Sequence, residues 1–127
     1  MAKRILVVED TRSIREIIVH LLRDRGYEVD SCADGKEAEA RVASFAPDLL
    51  VLDAMLPQKS GFDLCAELKG NERTRGIRVL ILTAAAGGGD GGRSFWKERS
   101  QADDFMTKPF KGAELAERVA RLLGNAG

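Results

Sequence analysis

Apolar residues occur along this chain in two rhythms. Short dense runs, such as Ile5, Leu6, Val7 and Val8, or Leu49, Leu50, Val51 and Leu52, show almost no alternation with polar positions. Between them lie longer stretches in which apolar residues recur every three or four positions, as at Ile14, Ile17, Ile18, Leu21 and Leu22. The dense runs predict strands and the spaced runs predict amphipathic helices. Strands are expected over residues 4–8, 28–32, 49–52, 78–82 and 104–107. Helices are expected over residues 13–25, from Asp34 to just before Pro47, over 62–69 and over 113–123. Ser13 with Glu16, or Thr11 alone, is placed to cap the first helix, and Asp34 with Glu37 the second. Gly26 is placed to end the first helix in a left-handed conformation, Pro47 stops the second, and Gly70 and Asn71 stop the third.

Strands dense in Val, Ile and Leu suit a sheet covered by helices on both faces, as parallel sheets are. Right-handed crossovers then bring the C-terminal end of every strand to one edge. Asp10, Asp53, Thr83 and Lys108 each follow a different predicted strand, so residues far apart in sequence are expected to meet there. In open parallel sheets this is the edge where sites form. Glu9, Asp10 and Asp53 would gather negative charge, which is costly unless a cation or a positive side chain joins it. Lys108 is the candidate positive partner.

A chain of 127 residues suits one domain with one core. Lys plus Arg and Asp plus Glu both number 20, so no global field draws the chain to nucleic acid or an anionic membrane. Cys32 and Cys65 match no metal spacing and read as small buried hydrophobes in a reducing compartment. The apolar stretch near the N-terminus is too short for a signal-peptide core or a spanning helix, which makes a cytoplasmic location the expectation.

The marks along the chain are Glu9 and Asp10 after the first strand, Asp53 followed by Pro57 and Gly61, Thr83 and Ala84 after the fourth strand, and Lys108, Pro109 and Phe110 after the fifth. Each is weak alone. Together and in this order they resemble the receiver domain of bacterial response regulators, over essentially the whole chain. The resemblance implies an α/β, flavodoxin-like (βα)5 three-layer sandwich with a parallel five-stranded sheet of order 2-1-3-4-5. It implies that Asp53 takes a phosphoryl group from a histidine kinase or histidine phosphotransfer protein. Asp10 and Asp53 would hold Mg²⁺, with Glu9 in its first or second coordination sphere and the Met55 backbone carbonyl as a further ligand. Thr83 and Lys108 would bind phosphoryl oxygens. Thr83 and Phe105 would form the switch, and the bond before Pro109 would be cis, aiming Lys108 inward.

The chemistry can also be built from the residues. A phosphoryl-accepting carboxylate must be ionised and exposed, a hard cation must neutralise charge, and donors must face the equatorial oxygens. Asp53 supplies the nucleophile, Glu9 and Asp10 the oxygen ligands, Lys108 a point charge and Thr83 a short donor. Such a site would catalyse its own phosphorylation and its own slow dephosphorylation without being a metabolic enzyme. In the family this chain resembles, the side chains at positions 55 and 85 help set how long the phosphoryl group lasts. Met55 and Ala85 cannot act as strong bases, so the resemblance implies a moderate to long phosphoryl lifetime.

Plainer readings stand beside these. Asp53 could cap a turn, Glu9 and Asp10 could open a solvated loop, Thr83 could cap the following segment, and Lys108 could sit in a surface ion pair. Phe105 could be a core aromatic, and Gly61 a residue that merely permits a tight turn. His20 reads as a surface histidine. Residues 87–92 hold five glycines and one aspartate, a run that does not favour helix. They read as a short insertion before a reduced helix around residues 95–99, with Trp96 at least partly buried. Gln101 stands where the family usually has glycine, so the turn there is expected to differ.

The chain reads as one domain over residues 1–127, either a stand-alone receiver or a fragment of a larger regulator. Its output would be a protein target or a fused domain, with no direct nucleic-acid binding and no membrane insertion by this chain. The competing function is a phosphorylation-independent interaction scaffold with the same fold. A flavin site is disfavoured because Glu9 and Asp10 would repel a phosphate.

Overall fold

Every dense apolar run is a strand in the computed structural model, which describes residues 2–84 and 100–124. The chain runs β1 (Arg4–Val8), α1 (Arg12–Asp24), β2 (Glu28–Cys32), α2 (Gly35–Phe45), β3 (Leu49–Asp53), α3 (Gly61–Lys69), β4 (Arg78–Ala84), β5 (Asp104–Lys108) and α4 (Gly112–Leu122). All neighbouring strands are parallel, in the order β2-β1-β3-β4-β5. This is the expected flavodoxin-like (βα)5 arrangement. Residues 87–92, Phe95, Trp96 and Ala85 lie outside the described residues, as do the expectations attached to them.

Burial explains why the strands lack alternation. Leu6, Val8, Leu50, Leu52, Val79 and Ile81 face a core completed by α2 and α3, through Ala38, Val42, Leu64, Cys65 and Leu68. Ile5, Val7, Leu49, Val51, Leu80 and Leu82 face a second core, completed by Ile18 and Leu22 of α1 and Leu115 and Val119 of α4. Successive side chains point to opposite faces, and both faces are covered, so both sets must be apolar. Each such buried Leu, Ile or Val contributes about 1.5–3 kcal/mol over an exposed one. Cys32 and Cys65 are free and buried in the first of these cores.

Local signals behave as the sequence suggests, with three corrections. Asp34 accepts a hydrogen bond from Glu37 N at 2.7 Å and caps α2, and Gly26 takes φ +92° after α1. Neither proposed side-chain cap of α1 forms. Thr11 holds the cap position, but its side chain makes no capping bond; its carbonyl accepts from Arg15 N at 2.9 Å. Ile17, counted among the inward residues of α1, is 62% exposed. It stands about 100° around the helix from buried Ile18, and the inward face is already filled. Strands β3, β4 and β5 run further than expected, to Asp53, Ala84 and Lys108. The ladder continues there because Asp53 pairs with Leu82 and Ala84 with Lys108. Gln101 has φ +60°, in the left-handed region that favours glycine.

Two features secure the sheet away from the site. Before β5, Asp103 Oδ2 accepts from Val79 N at 2.8 Å and from Lys69 Nζ at 2.7 Å, and the same ammonium donates to Ile77 O at 2.8 Å. Strand β2 lies at the edge. Glu28 and Cys32 turn their main chain towards the β1 side, through Glu28 N to Lys3 O and Glu9 N to Cys32 O. Val29 and Ser31 therefore face outward. Arg23 Nη2 donates to Val29 O at 3.0 Å, and Ser31 N donates to Asp30 Oδ1 at 2.9 Å. Side chains of the protein itself thus occupy part of the open edge, one way natural sheets avoid unwanted pairing. No helix among the described residues is long and apolar enough to cross a membrane.

Candidate functional site

Strands β1 and β3 are central neighbours, so the residues at their C-terminal ends meet. Carboxylate oxygens of Glu9, Asp10 and Asp53 all lie within 4.8 Å of one another. Glu9 and Asp53 are buried, Asp53 being only 5% exposed, whereas Asp10 is exposed. The expectation of an exposed Asp53 is therefore corrected. As the last residue of β3 it is still inside the sheet, with Lys108 beside it and the β3–α3 loop folded against it.

Lys108 ends β5 and reaches across this edge. Its Nζ donates to Glu9 Oε1 at 2.6 Å and lies 3.4 Å from Asp53 Oδ2. Burial works against the charged ammonium, but the hydrogen bond to Glu9 and the charge of Asp53 outweigh it, and the Lys108 pKa rises above its usual value. Lys108 is therefore an inward cation, not a surface ion-pair residue. The Lys108–Pro109 bond is cis, as expected.

Each carboxylate has a defined anchor. Glu9 Oε2 accepts from Thr11 N at 3.1 Å, so both its oxygens are engaged. Asp53 Oδ1 accepts from Met55 N at 3.1 Å. Arg15 Nη1 donates to the Glu9 carbonyl at 2.8 Å and braces the chain between β1 and α1. Nothing in the sequence pattern singles out Arg15 beyond its position near the start of the helix.

The β3–α3 loop carries Met55, a residue 73% exposed. The loop returns tightly: Gly61 N donates to Ala54 O at 3.0 Å, and Ser60 Oγ accepts from Phe62 N at 3.1 Å to cap α3. Gly61 is needed for space, not for turn geometry alone, because a Cβ there would meet the Asp53 carbonyl oxygen. Lys59, which sequence reasoning passed over, bonds through Nζ to both Glu39 and Glu67. Its only sequence signal is a lone cation in an otherwise uncharged loop.

Thr83 sits half-buried near the end of β4, one register step from the Asp53–Leu82 pair and opposite Thr107. The fold brings it to the same edge as the acidic cluster. Phe105 points away from the charged groups into the core formed with α2 and α3, 7% exposed, with its ring centroid 6.2 Å from that of Phe62. His20 is exposed on α1, 3.7 Å from Asp24, and takes no part in the site.

The donor set is one of hard oxygens beside an ammonium. A model of the response regulator receiver domain matches residues 5–120. The chain belongs to that family. It is 40% identical over 120 residues, 94% of this chain and 48% of the relative, to the DNA-binding dual master transcriptional regulator RpaA of Synechocystis. The chain spans about half the length of the curated relatives it matches. Among solved structures, the receiver domain of a signal transduction histidine kinase from Syntrophus aciditrophicus superposes with a TM-score of 0.88 at 38% identity, covering 98% of this chain and 92% of that one. The receiver domain of the sensor histidine kinase PA1611 from Pseudomonas aeruginosa, with a magnesium ion in its active-site cleft, gives 0.82 at 31% identity over 98% and 99% of the two chains. The receiver fold and the acidic cluster are consistent with phosphoacceptor signalling.

Proposed function

We propose that this domain accepts a phosphoryl group on Asp53 from a histidine kinase or histidine phosphotransfer protein, and that phosphorylation changes a protein-binding face. The observation that carries this reading is the convergence of Glu9, Asp10 and Asp53 with the Lys108 ammonium at one sheet edge. The kinase-derived receiver domains among its structural relatives support the choice of donor.

The cluster fits a divalent cation such as Mg²⁺, which prefers oxygen donors and retains several waters. Asp10, exposed, and Asp53 would hold it, with the Met55 carbonyl as a third protein ligand. Glu9 has both oxygens engaged already, so its part is to orient Lys108 and to lie behind the direct ligands. When bound, the cation supplies neutralisation of the negative charge carried by the phosphoryl oxygens.

Asp53 Oδ attacks phosphorus, the bond from phosphorus to the donor's imidazole nitrogen or acyl oxygen breaks, and the leaving group departs with its electron pair. Lys108, 3.4 Å from Asp53 Oδ2, pairs with an equatorial oxygen as charge builds there. Thr83 donates its hydroxyl to another. Hydrolysis of the acyl phosphate restores the carboxylate. Thr83 and Phe105 are read as the relay towards the output surface; the buried seat of Phe105 against Phe62 is the observation that bears on it. The output is a protein target or a fused domain. DNA binding, named for RpaA, would belong to a part of such a protein that this chain does not match.

The test is intact mass after incubation with Mg²⁺ and acetyl phosphate. One added phosphoryl group, absent from Asp53→Asn and absent after chelation, supports the reading. No addition to folded protein from acetyl phosphate or from phosphoramidate overturns it and favours a phosphorylation-independent scaffold.

A further inference from the structure

Lys59 sits at the far end of the loop that begins at Asp53. Its Nζ is paired with Glu39 Oε1 on α2 and with Glu67 Oε1 on α3. Hydrogen bonds to Glu39 and Glu67 hold its pKa above the usual lysine value, so the ammonium is the form present. Its main chain is fixed as well. Lys59 N donates to Pro57 O at 2.8 Å, directly after Gln58 at φ +71°. The first residue of α2 is Gly35, and a Cβ there would fall 3.1 Å from Lys59 Cβ and 3.3 Å from Lys59 O. The loop therefore lies against the start of α2, with little room between them. Its near end is closed by Gly61 N on Ala54 O, and Asp53 Oδ1 holds Met55 N.

We infer that Lys59 is a positioning residue: by tying the β3–α3 loop to α2 and α3 at once, it fixes where the Met55 carbonyl stands relative to Asp10 and Asp53, and so sets the cation affinity of the site. This rests on the phosphoacceptor reading above. Lys59 touches no reacting group. It acts through the loop, which is anchored at Ala54 by the Gly61 N–H on one side of Met55 and by this ammonium on the other. Ion pairs with exposed partners contribute little to global stability. Two pairs converging on one loop residue still restrict that loop, because the alternative positions of the loop lose both together.

The sign of the effect separates positioning from simple charge. Removing a positive charge from the neighbourhood of an acidic cluster should strengthen cation binding. Losing the anchor should weaken it. The experiment is calorimetric titration of the whole protein with Mg²⁺, comparing wild type with Lys59→Met, Lys59→Arg and the double variant Glu39→Gln/Glu67→Gln. Thermal unfolding and phosphorylation by acetyl phosphate at saturating Mg²⁺ are measured in parallel. The expected result is a several-fold weaker Mg²⁺ affinity for Lys59→Met and for the double variant. Lys59→Arg should stay near wild type, and phosphorylation at saturating Mg²⁺ should stay within about twofold of wild type. Equal or tighter Mg²⁺ binding by Lys59→Met overturns the inference. Weaker binding in proportion to a large loss of thermal stability would also overturn it, by making the role one of folding. A wild-type protein that binds Mg²⁺ but gives no phosphorylation would sink the phosphoacceptor reading while leaving the affinity comparison decisive. A wild type that binds no Mg²⁺ removes both.

Discussion

A Cβ atom placed on Gly61 would fall 2.1 Å from the carbonyl oxygen of Asp53. Real Cβ atoms do not approach backbone oxygen so closely, and neither atom sits at the end of a flexible side chain. Gly61→Ala must therefore push the start of α3 away from the end of β3. Overpacking of this kind costs about 1–3 kcal/mol, and backbone against backbone belongs at the upper end. The expected outcome is a loss of about 3 kcal/mol in urea unfolding, together with weakened Mg²⁺ binding. Unchanged stability would mean that the loop adjusts freely.

Lys69 and Asp103 offer a second test, far from the acidic cluster. The ammonium is 10% exposed and serves Asp103, Ile77 and Arg75 at once. Removing one partner of a largely buried pair leaves the other uncompensated. Lys69→Met should cost about 3 kcal/mol in urea unfolding. Phosphorylation of the variant that remains folded should proceed at the wild-type rate.

The backbone at Gln101 provides a substitution expected to stabilise. Its φ of +60° lies in the region that costs a residue with a Cβ about 1–2 kcal/mol. Gln101→Gly relieves that strain but adds freedom to the unfolded chain, for a net gain of up to about 1 kcal/mol. Gln101→Val should lose stability. The pair is read by chemical unfolding, and the same sign for both would count against the left-handed assignment.

The two thiols predict an alkaline weakness. Burial raises the pKa of both Cys32 and Cys65 from 9.0 to about 12. The folded protein then holds protons that the unfolded chain releases, so stability is full below about pH 9 and falls as pH rises towards 12. The loss is roughly 2 kcal/mol for each thiol at about pH 10.5. Lys108, also raised, adds a loss of the same sign at still higher pH. Cys65→Ala should flatten the alkaline limb of a stability–pH curve, and neither thiol should react with Ellman's reagent at pH 8 until the protein is unfolded.

The sequence pattern told strands from helices because both faces of this sheet are buried, which forces the unbroken apolar runs at Leu49–Leu52 and Val79–Leu82. It did not tell where the strands stop. Asp53, Thr83 and Lys108 are polar, and polarity reads as the end of a strand, but main-chain pairing carries on through them. The same limit applies to burial. An aspartate at the edge of a sheet reads as exposed, but among the described residues the Lys108 ammonium and the returning loop lie against it. The meeting of Glu9, Asp10, Asp53 and Lys108 was legible from topology, since parallel crossovers leave those residues one edge to share. The bracing by Arg15 and Lys59 was not, because long cationic side chains choose partners by position in space, and nothing in their spacing along the chain reports it.

Strand β2 ends the sheet without ending its hydrogen-bonding capacity, yet Val29 O and Ser31 N are answered by Arg23 and Asp30. Any additional strand arriving there would have to evict two side chains that belong to the same molecule, one of them rooted in α1. A domain guarded in this way can stay crowded among many copies of its own fold and still meet other proteins through side chains, leaving recognition to surfaces where sequence can vary instead of to the uniform grammar of the backbone.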